Sequence, residues 1–325
     1  MAQKERLVAR RSTGRARVGS GLLTLMVLGI IGLIACARTS GNGPSESAST
    51  APSGIDWKQV EQALGKTGSM QPGDVYKIGI PRSDLKVTVQ GVQIKPSFAL
   101  GGWVAFKPHG DGAMAMGDLV LTEDEVAPVM AKLQEGGIEQ SAVHNHLLGE
   151  SPRIMYMHIS AHGNPVKLAQ SIRAALSLTA TPFAPPAAAA PAQTIDLETK
   201  QIDQIMGHSG KVNGGVYQFG VPRAEKITED GMEVPPSMGT ATSINFQPTG
   251  GGKAAITGDF VLIASEVNPV IRTLRENGIV VTALHSHMLT EEPRLFFMHF
   301  WANDDATKLA RGLRSALDKM NVAKP

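Results

Sequence analysis

The chain has 325 residues, with 31 Lys and Arg against 29 Asp and Glu, and one Cys. That length accommodates two domains of ordinary size. A single Cys excludes an internal disulfide framework, and the near-neutral charge balance excludes the basic stripe that nucleic-acid binding requires.

The first 17 residues carry six basic side chains (Lys4, Arg6, Arg10, Arg11, Arg15 and Arg17) and one acid, Glu5. An apolar run from Gly21 to Ala35 follows. It is shorter than the ~20 residues of a spanning helix. A basic start before a short apolar run is the layout of a secretory signal. The run closes on Leu33-Ile34-Ala35-Cys36, which resembles the lipobox of bacterial lipoproteins. The resemblance implies a signal peptide over residues 1–35, cleavage before Cys36 and acylation of its thiol, typically including palmitate. It places the protein outside the cytoplasm, with the membrane as a partner through the lipid on Cys36. Stable anchoring takes more than one acyl chain. Without residues 1–35 the count is 31 − 6 = 25 basic against 29 − 1 = 28 acidic side chains, a net charge of −3.

Residues 36–54 hold Cys36 and a Pro/Gly/Ser-rich stretch that reads as a flexible tether. Residues 55–177 and 194–325 follow, separated by a Pro/Ala-rich linker over 178–193. The two segments are copies. Val75–Arg82 (VYKIGIPR) matches Val216–Arg223 (VYQFGVPR) at an offset of 141 residues, and Gly117-Asp118 matches Gly258-Asp259 at the same offset. A repeat this long is a duplicated domain, since solenoid periods are ~20–50 residues. Proteolysis in the linker would be expected to release two folded fragments.

Each copy reads as α+β, a mostly antiparallel sheet with about three helices. In the first copy a short amphipathic helix covers Asp56 to Leu64. Strands are predicted at Tyr76–Ile80, Lys86–Val89, Trp103–Phe106 and Ala113–Leu121. Thr122 and Glu125 form a capping box for a helix from Glu123 to Gln134, which Gly136-Gly137 ends. Strands at Ile138–His146 and Arg153–Ser160 come next. Asn164 and Pro165 start a last helix to Leu176. The second copy repeats this order, with Ser265 as the cap of its middle helix and Asn277-Gly278 as its end.

Both copies carry the pattern H-x-H-x3-E-x-P-R-x4-H: His144, His146, Glu150, Arg153 and His158, then His285, His287, Glu291, Arg294 and His299. It holds six of the nine histidines. Alternate residues of a strand share a face, so H-x-H aims two imidazoles at one point, a geometry suited to zinc or another divalent transition metal. Glu150 and Glu291 are candidate third ligands or general bases. Arg153 and Arg294 are candidate partners of those carboxylates or of an anionic ligand. A simple hairpin would set His158 opposite Gln140 to Ala142, so it joins His144 only if the connection is longer or bulged. Asp118 and Asp259 read as turn or bulge residues, and His109, His162 and His208, which are not repeated, as surface residues.

H-x-H-x3-E resembles the first motif of the cupins, which hold a metal inside a β-barrel. The second cupin motif has no clear counterpart, and helices interrupt the strand order. The lipobox, the duplication and the stretch HNHLLGESPRIMYMH together resemble the LppY/LpqO lipoprotein family, over essentially the whole exported chain. That resemblance implies an envelope location and names no reaction. Three functions follow as expectations: an envelope protein binding a metal or small ligand, a metal-dependent enzyme, or a structural lipoprotein binding another envelope protein. There is no G-x-S-x-G elbow, and Gly65-Lys66-Thr67 lacks the leading Gly of a phosphate loop.

Overall fold

A computed structural model of the protein describes residues 54–183 and 194–324. The expected signal peptide, Cys36 and nearly all of the tether lie outside the described residues, as does 184–193 of the linker. Among the described residues no helix is long and apolar enough to cross a membrane.

The first repeat runs α1 (Trp57–Leu64), β1 (Ser69–Gln71), β2 (Val75–Pro81), β3 (Thr88–Val89), β4 (Val92–Gln93), the one-turn α2 (Pro96–Ala99), β5 (Gly101–His109), β6 (Gly112–Thr122), α3 (Glu123–Glu135), β7 (Glu139–His144), β8 (Glu150–Ser151), β9 (Ile154–Gly163) and α4 (Pro165–Leu176). The second runs α5 (Thr199–Met206), β10 (Lys211–Asn213), β11 (Val216–Pro222), β12 (Thr228–Glu229), β13 (Met232–Glu233), β14 (Ala241–Gly250), β15 (Lys253–Leu262), α6 (Ala264–Glu276), β16 (Val280–His285), β17 (Phe296–Asp305) and α7 (Ala306–Leu317). Each repeat builds one six-stranded sheet, in the orders β1-β2-β5-β6-β9-β7 and β10-β11-β14-β15-β17-β16. Every neighbouring pair is antiparallel. The α+β reading holds for both copies. These are open sheets with helices on one face, so the cupin likeness of H-x-H-x3-E does not extend to a barrel.

Local chemistry sets the helix ends. The Asn164 side chain accepts from the N–H groups of Val166 and Lys167, and Asp56 accepts from Lys58. Glu125 accepts from the Thr122 N–H at 2.8 Å. Its counterpart Glu266 accepts from Ile263 at 3.0 Å, so Ile263 and not Ser265 stands at the cap of α6. Ser265 lies inside the first turn, where the Glu266 carboxylate reaches back to the Ile263 N–H and the Glu266 N–H donates to the Ile263 carbonyl.

Alternation along the strands sends two sets of side chains to opposite faces. On the outer face of the first sheet, Ile78, Phe106, Leu119, Met157 and Ile159 pack under Leu64, Leu133 and Ile172 of the helices. The second repeat buries Phe219, Phe246, Phe260 and Phe300 under Leu274, Leu309 and Leu313 in the same way. The inner faces turn towards each other. Phe98, Val120 and Tyr156 of the first repeat share a core with Val216, Ala255 and Trp301 of the second. Val75, Ala105 and Met116 share another with Val234, Met238, Val261 and Phe297. The layers are therefore helices, sheet, sheet, helices. The chain around β3 and α2 reaches over the second repeat: Lys95 N–H donates to Gln247, and Asn245 and Gln218 donate to the carbonyls of Phe98 and Ser97. In return, Lys77 donates to the Ser237 carbonyl.

Candidate metal centre

The register of the ladders explains how distant residues meet. In the first sheet Trp103, Asp118, His158 and Ala142 lie side by side across β5, β6, β9 and β7, and His144 pairs with Tyr156 one step along. In the second, Ser243, Asp259, His299 and Ala283 form the matching row, and His285 pairs with Phe297. Each short strand, β7 or β16, has a register shift, between Gln140 and Ala142 and between Val281 and Ala283. The residues after it lean towards the inner face, and His144 comes within 5.1 Å of His158, ring centre to ring centre.

The six repeated histidines then meet in one cluster between the sheets. His144 stacks on His285 at 3.5 Å, His158 on His287 at 3.6 Å and His146 on His299 at 3.7 Å, all between repeats. His146 and His287 thus cross to the neighbouring repeat's strand histidine. The exchange is held from outside, since Thr282 donates to the His146 carbonyl at 2.6 Å and Tyr156 and Phe297 cover His146 and His287. Where the sequence reading anticipated a histidine set in each copy, the two sets form a single site.

Every Nε2 of the six is buried without a hydrogen-bond partner among the described residues, and so are Asp118 Oδ1 and Asp259 Oδ1. Such atoms cost about 1–3 kcal/mol each when left unpaired. His299 Nδ1 lies 2.9 Å from the Gly258 carbonyl, and His144 and His285 approach the Asn145 and Ser286 carbonyls at 3.5 and 3.4 Å. A ring that donates from Nδ1 presents an unprotonated lone pair at Nε2, the form a metal takes. Burial, then the His285 ring, pulls the His144 pKa down to about 3, and burial pulls His285 to about 4. Burial and the neighbouring imidazoles hold His146, His158, His287 and His299 well below the usual range. At neutral pH the cluster is six neutral imidazoles.

Three sets of histidines each bring their ring nitrogens within 4.8 Å of one another: His144, His158 and His287; His144, His146 and His299; His285, His287 and His299. Asp118 joins His146 and His158 in a fourth. Asp118 Oδ1 lies 3.8 Å from His158 Nε2, and Asp259 reaches His287 at 3.7 Å and His299 at 3.9 Å. Burial raises the Asp118 carboxyl to about 7, and burial with Asp118 nearby holds Asp259 well above the carboxylate range.

The carboxylates expected at the site are elsewhere. Glu150 and Glu291 belong to none of these sets. Residues 145–153 leave the main ladder, β8 pairs with β3, and Glu150 Oε2 is buried there with no partner among the described residues. Glu291 is buried, accepting from the Leu295 N–H at 2.9 Å and from Arg294 at 3.2 Å. Arg153 is exposed and reaches Glu123 rather than Glu150. Asp118 and Asp259 are mid-strand residues aimed at the cluster, not turn residues. Their repetition at the same 141-residue offset as the histidines was the available signal. His109 and His162 are exposed and His208 is half-buried, all apart from the cluster.

A cavity of about 930 Å³ opens between the sheets beside the cluster. His146, His299, Asp118 and Asp259 reach its wall, together with Lys77, Trp103, Tyr156 and Asn245. The Lys77 ammonium sits 4.0 Å above the Trp103 ring. None of these four last residues stands out in the sequence, and of their counterparts only Phe297 keeps an aromatic ring.

Residues 58–178 and 200–319 each match the family model described as Domain of Unknown Function (DUF1259). No curated protein matches the chain. Among solved structures it aligns with a trimeric bacterial microcompartment shell protein, PduB, at 13% identity over 80% of this chain and 97% of that one, with a TM-score of 0.20. EtuB from Clostridium kluyveri aligns at 8% identity over 78% of this chain and 91% of that one, also at 0.20. Scores of that size carry no inference about fold or function.

Proposed function

Because the chain belongs to the DUF1259 family by both repeats, and that description names no activity, we propose its function from the site alone: it binds a divalent transition metal, zinc first, between its two repeats. One observation carries the reading. Six buried Nε2 atoms and two buried carboxylate oxygens converge with no partner. Nitrogen-rich sets with a carboxylate suit zinc and the neighbouring first-row metals. A bound cation would also draw the Asp118 and Asp259 carboxyls into their charged form.

Elemental analysis of the purified protein should find about one or more ions per chain. Stripping the metal should lower the melting temperature, since a bound ion adds about 2.7 kcal/mol at a hundredfold excess over its Kd. A centre shared between repeats makes a further demand. His158→Ala, in the first repeat, and His287→Ala, in the second, should each reduce the whole metal content rather than half of it. Metal content below about a tenth of an ion per chain, with a melting curve that chelation does not move, would remove this reading in favour of a packed polar layer.

We propose also that the protein works in the bacterial cell envelope as an LppY/LpqO-type lipoprotein, anchored by lipid on Cys36. The basic start, the short apolar run and Leu33-Ile34-Ala35-Cys36 support this. Cys36→Ser should abolish acyl labelling, and inhibiting the lipoprotein signal peptidase should leave a heavier, uncleaved chain. A Cys36→Ser protein still labelled and cut at the same place would contradict it.

A further inference from the structure

The two repeats agree where they meet in the histidine cluster and disagree along the cavity beside it. His144, His146, His158 and Asp118 have identical counterparts. In the cavity wall the ladders set Lys77 against Gln218 and Trp103 against Ser243, and Asn245 stands where the first repeat buries Ala105 behind the wall. A cavity that served only to fill the space between duplicated sheets would have no reason to differ there. One lined unequally on its two sides receives a molecule in one orientation.

One of the unequal residues, Lys77, says what that molecule offers. Lys77 places an ammonium on the cavity wall and donates to the Ser237 carbonyl, which leaves it N–H groups to spare. Burial lowers its pKa to about 8, so it remains charged at neutral pH. Asn245 is 8% exposed and its Nδ2 donates to the Phe98 carbonyl, which fixes the amide orientation. Its Oδ1 is closed off from the cavity, with no partner among the described residues. The wall therefore offers one cation, Lys77, with the Asp118 carboxyl as its charged neighbour. With a divalent ion bound and both Asp118 and Asp259 ionised, the site and Lys77 carry 2 + 1 − 2 = +1, which a single negative charge neutralises.

Two exposed glycines border the open side of the cavity. Gly79 and Gly220 lie mid-strand in β2 and β11 and line the cavity. A Cβ added at either would meet nothing within 4 Å. Mid-strand glycine weakens a sheet and marks places where another group approaches the backbone closely.

We propose that this cavity binds a small organic carboxylate next to the metal centre. Its carboxylate lies towards Lys77 and the metal, and its body lies beside Gly79 and Gly220 against the Trp103 ring. This rests on the metal reading above for one of its two anchors, while Lys77 stands without it. The cavity volume falls in the range of small-molecule sites.

The test is calorimetric titration of 4-hydroxybenzoate into cobalt-loaded protein. Binding should be detectable at millimolar concentrations or below. The pair Gly79→Leu and Gly220→Leu, which narrows the open side without touching the histidines, should weaken it by about tenfold or more at unchanged cobalt content. Lys77→Met should weaken 4-hydroxybenzoate by about tenfold and leave 4-hydroxybenzyl alcohol, which lacks the charge, unaffected. No heat with wild-type protein at about 10 mM, or equal affinity in the glycine and lysine variants, overturns the proposal. If cobalt fails to load, the metal reading falls by itself. The same titration of metal-free protein then decides the cavity: binding blocked by the two leucines supports it, and no binding overturns it.

Discussion

Metal-free protein should unfold steeply as the pH falls below 6.5. In the unfolded chain the six histidines take up protons near their ordinary value of about 6.5. In the folded chain burial keeps His144 neutral to about 3 and His285 to about 4, and holds the other four well below 6.5. The unfolded state therefore binds up to six more protons in this window, and the stability the neutral histidines contribute, fully present above 6.5, is lost as the pH drops. Asp118 and Asp259 act in the opposite sense. Their raised values mean that the folded chain holds two protons the unfolded chain has released above about 4. The net is 6 − 2 = 4 protons, and at about 1.36 kcal/mol per proton the slope approaches about 5 kcal/mol per pH unit. A total stability of about 5–15 kcal/mol would be consumed within a few pH units. Urea unfolding at a series of pH values measures this slope directly. His158→Gln with His299→Gln should reduce it by about two protons. A slope below about one proton would mean that the cluster is already charged or hydrated when folded.

Cutting the chain in the linker should not separate the repeats. Proteolysis within 184–193 is expected, but the two parts should co-elute at the mass of the intact chain. Phe98, Tyr156, Phe297 and Trp301 are buried in cores drawn from both repeats. Each such side chain contributes about 1.5–3 kcal/mol through burial, and all would be exposed in an isolated repeat. Splitting also removes the partners of His146 and His287. Residues 55–183 produced alone should therefore aggregate or lack a cooperative melting transition. Trp301→Ala in the intact chain should cost about 3–5 kcal/mol, the usual effect of emptying a large aromatic site. Two fragments that part on native gel filtration, each with its own melting transition, would mean that the shared cores contribute little.

Much of this architecture is legible in the residues. Thr122, Glu125, Gly136, Asn164 and Pro165 act on backbone groups within a few positions, so the helices they bound can be placed without knowing the fold. The alternation in β2, β5 and β6 is local for the same reason. The 141-residue repeat gives two equal α+β units, and the recurrence of H-x-H marks the residues that matter. Ladder register is also local enough to set His158 opposite Ala142.

What joins the units is not local. A strand pattern shows that two faces differ, but not whether the inner face of one sheet covers a neighbour, a ligand or nothing. The inner faces are less apolar than the outer ones, with Lys77, Asp118, His158 and Asn245 among their residues, and only face-to-face packing of the copies makes their burial intelligible. That packing set His146 against His299 and His287 against His158, across 299 − 146 = 153 and 287 − 158 = 129 residues of sequence. It recruited Asp118 and Asp259, which alone look like turn residues. It left Glu150 outside, because β8 found its hydrogen bonds on β3. Which side chains each copy contributes can be read from the residues, since local backbone chemistry places them. That they form one centre follows from face-to-face packing, because the free energy that brings the sheets together belongs to surfaces contributed by both copies.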